Sequence, residues 1–288
     1  MMQSFQWASS LTCRPRGADP ERAAGPAVRL AGRAAARGAL LVAALLASPV
    51  AARAEDVTVM ISGGFKSSYQ ALLPGFEAAH HDRVTTLPGP SMGTTPDAIP
   101  QRLARGEDDD VLIMVGSALD ALIRDGAAAP GSKVDLALSP IGMAVKAGAP
   151  VPDIGTVDKL KAVLLAARSV AYSDSASGVY IQNELFKRLG IEAEMKGKAR
   201  MIPATPVGEI VARGEAELGF QQVAELLPVP GITFAGKLPD AVQKVTVYSA
   251  GLAAKAKHPE AGRALIAYMV SPAAAPVLRR MGLDPAQP

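Results

Sequence analysis

Four short loops rich in serine, threonine and glycine are the parts of this chain best suited to bind a ligand. Each lies where an extended segment gives way to a segment with helical spacing. Backbone N–H groups at a helix N-terminus carry partial positive charge, and hydroxyl groups add donors, so such loops favour an anion. The candidate ligand-binding residues in these loops are Ser62, Gly63, Gly64, Ser91, Thr94, Ser117, Ser173, Ser175, Ser177, Gly178 and Val179.

The loop at residues 173–180 is the densest in polar groups, with three serines and Asp174 ahead of a predicted helix. In a structural interpretation, Asp174 or Ser177 caps that helix and the other residues form a turn. In a functional interpretation, the hydroxyl groups form a cradle for an oxyanion. Three hydroxyls exceed what one cap requires, and both interpretations stay open.

Groups that could move a proton are fewer. Lys66, Asp174 and Tyr180 lie in or beside the candidate loops, although a solvated lysine and a tyrosine packed in a hinge are the structural alternatives. Gln221 closes a predicted strand as either a ligand-facing or a buried amide. The three histidines lack metal-ligand spacing, and no nucleotide-binding loop or nucleophile elbow is present, so the sequence predicts neither metal nor cofactor. The acidic run 107–110 is typical of a solvated turn.

Alternating strands and helices must position these loops. Val57–Ile61 and Val111–Val115 are short β-branched runs, each followed by a glycine-containing loop and then by apolar residues at helical spacing. Pro74 is expected to break or kink the first helix, and Gly190 is expected to end the helix after the serine-rich loop. This alternation predicts an α/β fold with mainly parallel sheets flanked by helices on both faces.

Two longer apolar segments interrupt the alternation. Residues 136–146 and 245–255 are extended, and each contains a central glycine. In a two-lobed protein they would be the strands that cross between lobes. We therefore expect one lobe at residues 55–138 plus 252–288, a second lobe at 142–247, and hinge crossovers at 139–141 and 248–251.

The N-terminal region has the pattern of an export signal. Arg29, Arg33 and Arg37 precede the apolar run 39–46, and a small-x-small cleavage site follows at residues 52–54. We expect residues 1–54 to be removed and the remaining chain to be periplasmic.

Removal of that leader changes the charge and the cysteine content. The complete chain has a net charge of +3, and loss of the leader, with its seven arginines and two acids, leaves −2. The basic balance therefore gives no support for nucleic-acid binding. Cys13, the single cysteine, leaves with the leader. No apolar run approaches the length of a membrane span, so we expect the mature protein not to be embedded in a membrane.

Several segments together resemble a known family. Val57-Thr58-Val59, Phe76-Glu77, Asp109-Asp110-Val111 and the segment 214–219 are similar to the molybdate-binding-protein-like branch of the class II periplasmic binding proteins. The resemblance covers essentially the whole mature chain. It implies a two-lobed periplasmic-binding-protein fold. We also expect a monomer, although the sequence leaves the oligomeric state open.

The resemblance also implies a ligand site. In that family, serine hydroxyls and backbone N–H groups from both lobes hold an oxyanion, which carries over to Ser62, Gly63, Ser91 and the region 175–179. The first loop reads Ser62-Gly63-Gly64-Phe65 where molybdate binders usually have Ala-Ala-Ser-Leu. The glycine pair leaves room near the backbone for a ligand bulkier than a tetrahedral oxyanion.

Two functions follow as expectations. The primary interpretation is a periplasmic binding protein that captures molybdate, tungstate or a tricarboxylate and delivers it to the permease of an ABC transporter. The alternative is aconitate isomerase, which interconverts cis- and trans-aconitate, because Ser173–Tyr180 and Gly219–Gln222 resemble a subgroup containing that enzyme. The donor-rich loops suit either ligand class.

Overall fold

The computed structural model describes residues 55–286, and the predicted leader and its cleavage site lie outside them. The strands are β1 (Asp56–Ile61), β2 (Arg83–Pro88), β3 (Val111–Val115), β4 (Val134–Ser139), β5 (Ile141–Lys146), β6 (Val170–Ser173), β7 (Ala199–Ile202), β8 (Leu218–Gln222), β9 (Ile232–Lys237), β10 (Thr246–Leu252) and β11 (Asp284–Pro285).

Helices alternate with these strands along most of the chain. They are α1 (Gly63–His80), α2 (Ile99–Ala104), α3 (Gly116–Arg124), α4 (Val157–Ala166), α5 (Ala176–Tyr180), α6 (Phe186–Leu189), α7 (Glu192–Met195), α8 (Val207–Arg213), α9 (Val223–Leu226), α10 (Pro259–Met269) and α11 (Ala275–Arg280). A π-helical turn at Ile181–Leu185 joins α5 to α6, and a 3₁₀ turn lies at Asp240–Val242.

The strands form two sheets. The first has the order β11-β4-β10-β3-β1-β2 and the second β7-β6-β8-β5-β9. In the first, β1 pairs in parallel with β2 and β3, and in the second, β6 pairs in parallel with β7 and β8. The two-lobed α/β fold is thus confirmed, and the pairing is mixed because β4, β5, β9, β10 and β11 run antiparallel to their neighbours.

Both sheets are covered on both faces, as the apolar strands predict. Val57, Val59 and Ile61 pack into one buried cluster with α1 and α10, whereas Met60 points into the cluster on the opposite face with Leu112. This division follows from the alternation of side chains along a strand. In the second sheet, Tyr172 and Ala171 separate in the same way.

The first helix is longer than the sequence indicates. Pro74 lies inside α1, which continues to His80 and ends where His81 adopts a left-handed conformation. At Gly190, by contrast, the predicted left-handed helix end is present.

The chain passes between the two sheets in two different ways. The chain passes directly from β4 to β5, but it returns between Lys237 and Thr246, and residues 248–251 lie within β10 of the first sheet. The side-chain amide of Gln222 lies 2.9 Å from the hydroxyl groups of both Ser139 and Thr246. The Gln222 side chain therefore contacts both of the connections between the sheets. The limits of the lobes remain a prediction.

The acidic run is the solvated turn that its composition indicates only in its first half, where Glu107 is partly exposed and Asp108 is exposed. Asp109 and Asp110 are buried. Asp110 accepts hydrogen bonds from the backbone N–H groups of Thr58, Lys257 and His258. The run joins β1 and β3 to the loop before α10. Within residues 55–286, no helix is both long and apolar enough to cross a membrane.

Candidate functional site

Parallel pairing brings the first three candidate loops to one edge of the first sheet. Ser62 follows β1, Ser91 lies beyond β2, and Gly116 opens α3 directly after β3. Carboxyl ends of neighbouring parallel strands meet at one edge, which is where α/β proteins bind ligands. The backbone N–H of Val115 donates to Ser91 Oγ at 2.9 Å, so Ser91 is buried and fixes the loop.

The second sheet contributes two segments that face the first. After β6, Ala176 packs against the hydrophobic cluster that contains β1 and α1. After β8, helix α9 packs against α1, and Ala224 is a member of that same cluster. The serine-rich loop and α9 therefore both pack against the hydrophobic cluster that contains β1 and α1.

A carboxyl group from α9 lies against the N-terminus of α1. A Cβ atom placed on Gly63 would come within 2.8 Å of Glu225 Oε1. The other oxygen, Oε2, is buried and has no hydrogen-bond partner among the described residues. Burial, opposed in part by the Gln221 amide and reinforced by the charge of Asp174, raises the pKa of Glu225 to about 7. Such a carboxyl group can both accept and return a proton near neutral pH.

A phenol occupies the adjacent position of the same helix end. A Cβ atom on Gly64 would come within 2.0 Å of Tyr248 Oη, so only glycine permits this approach. Tyr248 is 3% exposed. Burial and the nearby charge of Glu225 raise its pKa far above the ordinary value, with the Ser62 hydroxyl opposing the shift. The room that the glycine pair leaves is thus occupied by the side chains of Glu225 and Tyr248.

Gln221 has a defined orientation. Its Oε1 accepts a hydrogen bond from the backbone N–H of Val207 at 2.9 Å, and the side chain is buried. Because the carbonyl oxygen is engaged at the start of α8, the amide nitrogen is the atom available to stabilise the Glu225 carboxylate. The predicted buried amide is therefore adjacent to the carboxyl group.

Three serine hydroxyls form a connected cluster at the end of β6. Ser173 Oγ lies 2.8 Å from Ser175 Oγ and 3.0 Å from Ser177 Oγ. Ser173 and Ser177 are buried, whereas Ser175 is partly exposed. The N-cap of α5 is Ser175, not Asp174 or Ser177, and its side chain makes no capping hydrogen bond. A Cβ on Gly178 would lie 1.6 Å from the carbonyl oxygen of Ser173, so this glycine closes the loop.

The three proton-transfer candidates from the sequence stay predictions, and the structure gives each of them its own contacts. The Tyr180 hydroxyl donates to the carbonyl oxygen of Val242 at 2.6 Å, which assigns it to the packing of the second sheet. Asp174 Oδ2 accepts from the backbone N–H of Ala204 at 3.0 Å. Lys66 is partly exposed on α1 and makes no ion pair with another described residue.

The remaining predicted ligand residues are less enclosed. Thr94, Ser117 and Val179 are exposed, and Val179 is 49% exposed. Their part in binding stays a prediction. Among the residues that the structure describes, no group of three or more histidine, aspartate or glutamate side chains is placed to hold a metal ion.

Glu225 and Tyr248 are the functional candidates that sequence reasoning missed. Glu225 is a single acid within the otherwise apolar segment 223–227, directly after the predicted strand, and this signal was available. Tyr248 lies inside the apolar crossover segment, where nothing in the sequence distinguishes it from a core residue. Only the fold brings it beside Gly64.

Known proteins share both the sequence and the architecture of this chain. The family model for bacterial extracellular solute-binding proteins matches residues 57–284. An aconitate isomerase from a Pseudomonas species is 51% identical over 258 residues, which represent 88% of this chain and 97% of that relative.

Solved structures share the fold at much lower identity. The periplasmic molybdate-binding protein of Azotobacter vinelandii superposes with a TM-score of 0.63 at 19% identity, covering 79% of this chain and 98% of that one. The sulfate-binding protein of Mycobacterium tuberculosis gives a TM-score of 0.64 at 15% identity, covering 81% and 88% of the two chains. These likenesses confirm the fold. By its family match and its full-length relative, the chain belongs to the bacterial extracellular solute-binding protein family.

Proposed function

We propose that this protein captures a tricarboxylate anion between its two sheets and interconverts cis- and trans-aconitate. The observation that carries this proposal is the Glu225 carboxyl group, which is buried against the N-terminus of α1 with one oxygen unpaired. A carrier needs hydrogen-bond donors around an anion. A buried acid with a pKa near 7 is better suited to moving a proton.

The proposed anion site combines groups from both sheets. The first turn of α1 supplies backbone N–H groups and the positive end of an 18-residue helix. The cluster of Ser173, Ser175 and Ser177 supplies hydroxyl donors from the other side. Ser175 is the member of this cluster most open to a ligand. Groups of this kind bind carboxylates as well as metal oxyanions.

In the proposed reaction, the Glu225 carboxylate removes a proton from the methylene carbon of aconitate. The electron pair of the broken C–H bond enters the allylic system, and the double bond moves by one carbon. The same carboxylic acid then returns the proton to the former vinylic carbon. One proton and one double bond have changed place, so the reaction needs no oxidant, reductant or second substrate.

The identity of the relative supports this proposal. The Pseudomonas protein that is 51% identical over nearly its whole length is an aconitate isomerase. The serine-rich loop and the segment 219–222, from which the sequence resemblance was drawn, both lie at the proposed site.

A second candidate function is transport binding in the periplasm. The family is one of extracellular solute-binding proteins, and the predicted leader at residues 1–54 agrees with export. In this function the protein would close on molybdate, tungstate or a tricarboxylate and deliver it to an ABC transporter permease. Capture of the anion is common to both functions, and turnover distinguishes them.

The test is a thermal-shift panel with molybdate, tungstate, sulfate, citrate, cis-aconitate and trans-aconitate, with each aconitate sample followed by NMR. A ligand present at 100 times its Kd adds about 2.7 kcal/mol to the free energy of unfolding. We expect stabilisation by the tricarboxylates and interconversion of the aconitate isomers. Stabilisation by metal oxyanions alone, without conversion, would leave transport binding as the function.

Glu225→Gln tests the base directly. We expect conversion to fall by about 10³-fold, because a positioned general base contributes about 10²- to 10⁴-fold, while citrate still stabilises the variant. Glu209→Gln is the matched control, since Glu209 is an exposed acid of α8 that pairs with Arg213. Full activity in Glu225→Gln would contradict the assigned role.

A further inference from the structure

A carboxylate base alone does not explain how the proposed reaction proceeds. Removing a proton from a tricarboxylate adds negative charge to an anion that already carries three. That charge spreads onto the carboxylate groups at the two ends of the allylic system. A preorganised donor near the developing charge is usually the largest single contribution to such a step.

We propose that the Tyr248 phenol is this donor and therefore the second catalytic group of the site. It would donate a hydrogen bond to a substrate carboxylate oxygen while Glu225 holds the transferred proton. This inference rests on the proposed isomerase function. It assigns a role to a residue of strand β10 in the first sheet, whereas Glu225 belongs to helix α9, which follows β8 of the second sheet.

The glycine pair at the start of α1 carries the geometric argument. Gly63 and Gly64 are consecutive, and their missing β-carbons admit Glu225 Oε1 and Tyr248 Oη respectively. The carboxyl group and the phenol therefore lie at neighbouring residues of one helix end. An ordinary side chain at either position would displace one of the two groups.

The two groups come from different sheets. Tyr248 belongs to β10, and its ring packs in the core of the first sheet beside Phe65, with ring centroids 6.5 Å apart. Glu225 belongs to α9, which follows β8 of the second sheet. Each sheet thus supplies one partner of the pair, and the approach of the sheets assembles it.

The environment of Tyr248 keeps the phenol protonated. It is surrounded by apolar side chains, and Glu225 is the charged group that disfavours its ionisation. Ser62, the N-cap residue of α1, makes no capping hydrogen bond, so its hydroxyl is free to orient the phenol. A neutral phenol donates a hydrogen bond without taking the proton that Glu225 carries.

Tyr248→Phe tests the proposal, because it removes the hydroxyl group and keeps the buried ring. We expect kcat for aconitate isomerisation to fall by about 10²- to 10³-fold, the usual effect of losing one such donor. Deuterium incorporation from D₂O into aconitate should slow in parallel. Stabilisation by citrate should change little, because binding does not develop the new charge.

Tyr69→Phe is the matched control. Tyr69 is a buried tyrosine in the same hydrophobic cluster, but its hydroxyl contacts Thr86 Oγ1 at 2.9 Å, and the charge that acts on it is that of Glu77. We expect its kcat to stay near that of the unchanged protein. Equal losses in the two variants would overturn the proposal, since any buried phenol would then serve.

Two further outcomes separate the inference from the function beneath it. If the unchanged protein neither converts aconitate nor exchanges deuterium, the isomerase function fails and the inference fails with it. If the unchanged protein is active and Tyr248→Phe is equally active, the inference alone is wrong.

Should Tyr248→Phe fail to fold, Ser62→Ala is the second variant, because it removes the hydroxyl beside the phenol. A loss of kcat larger than any loss of citrate affinity supports the donor role of Tyr248. An unchanged kcat overturns it.

Discussion

Glu225 illustrates how one buried oxygen can indicate a ligand. Burying a carboxyl oxygen without a hydrogen-bond partner costs free energy, so each such atom calls for an explanation, and a bound ligand is one. Asp109 Oδ2 is a second buried carboxyl oxygen without a partner among the described residues, but it lies before β3, at the opposite end of the strand from the candidate loops. Oε2 of Glu225 is buried in this way at the start of a long helix. A substrate that brings its own C–H group to this oxygen would use the position that the protein leaves unfilled.

The serine cluster leads to a prediction about affinity. Ser175→Ala should weaken tricarboxylate binding by about ten-fold, the equivalent of one hydrogen bond to a charged group, because Ser175 is the partly exposed member of the cluster. The melting temperature of the ligand-free protein should hardly change. Thermal shift with and without citrate measures both quantities.

Ser177→Ala provides the contrast for that experiment. Ser177 is fully buried and contacts Ser173, so its replacement should lower the melting temperature of the ligand-free protein as well as the affinity. A large loss of stability in Ser175→Ala would instead show that the loop has a structural role only.

At the scale of elements, the serine-rich loop and the start of α1 differ in the kind of atom that a β-carbon added to their glycines would meet. The contact at Gly178 is with a backbone carbonyl, 1.6 Å from an added Cβ, and backbone cannot move aside. The contact at Gly63 is with the end of a glutamate side chain, 2.8 Å from an added Cβ, and that end can rotate. The two positions therefore respond differently to the same methyl group.

Gly63→Ala and Gly178→Ala form a matched pair of variants. Gly178→Ala should lower the melting temperature and the affinity for citrate together. Gly63→Ala should leave the melting temperature nearly unchanged and lower kcat by about ten-fold or more, because displacements of about 1 Å cost up to about 10²-fold in rate. Circular dichroism melts and NMR turnover assays measure these effects. Equal melting temperatures for both variants would contradict the assignment of Gly178.

The sequence was sufficient to predict most of the elements but not all of their partners. Strand-to-helix alternation and the helix end at Gly190 depend on local patterns, and the structure contains them. Pro74 was expected to disrupt α1, yet the packing of Phe76 beyond it holds the helix together to His80. Tertiary contacts outweighed the local preference there.

In the candidate site too, some residues can be predicted from local sequence patterns and others cannot. Ser62, Gly63 and the hydroxyl cluster are recognisable because loops at strand ends are marked by composition. Tyr248 is not, because its significance depends on two sheets meeting, and Glu225 is marked only as the single acid of the apolar segment 223–227. The prediction for the acidic run was wrong at Asp110 for a related reason. Its charge indicates a solvated residue, but its carboxylate accepts hydrogen bonds from backbone N–H groups of segments that are distant in sequence.

At the scale of the whole molecule, two buried acids contribute to the way in which stability depends on pH. Burial, with the charges of Asp110 and Asp108, raises the pKa of Asp109 to about 7, and Glu225 also reaches about 7. Both values lie above those of the unfolded chain, so the folded state binds more protons. The stabilisation is complete below the unfolded pKa values and is lost as the pH rises through 7.

We therefore expect the free energy of unfolding to fall between pH 5 and pH 8. One pKa unit is equivalent to about 1.4 kcal/mol, and solvent screening of the incompletely buried Asp109 reduces its share, so the two groups together account for a few kcal/mol over this range. The double variant Glu225→Gln with Asp109→Asn should have a markedly flatter profile, measured by urea unfolding at several pH values. A double variant with the same slope as the unchanged protein would mean that other groups govern the dependence.

The glycine pair at the head of α1 has a consequence for how such a protein could have arisen. Catalytic function is commonly pictured as the addition of reactive groups to a binding scaffold. Here the site depends on two atoms that are missing, since the absent β-carbons of Gly63 and Gly64 are what admit the acid and the phenol. On the proposed function, a methyl group at either position weakens the catalytic pair and leaves the anion-binding loops in place, so small substitutions at this helix end are one route by which a lineage could shift between enzyme and carrier.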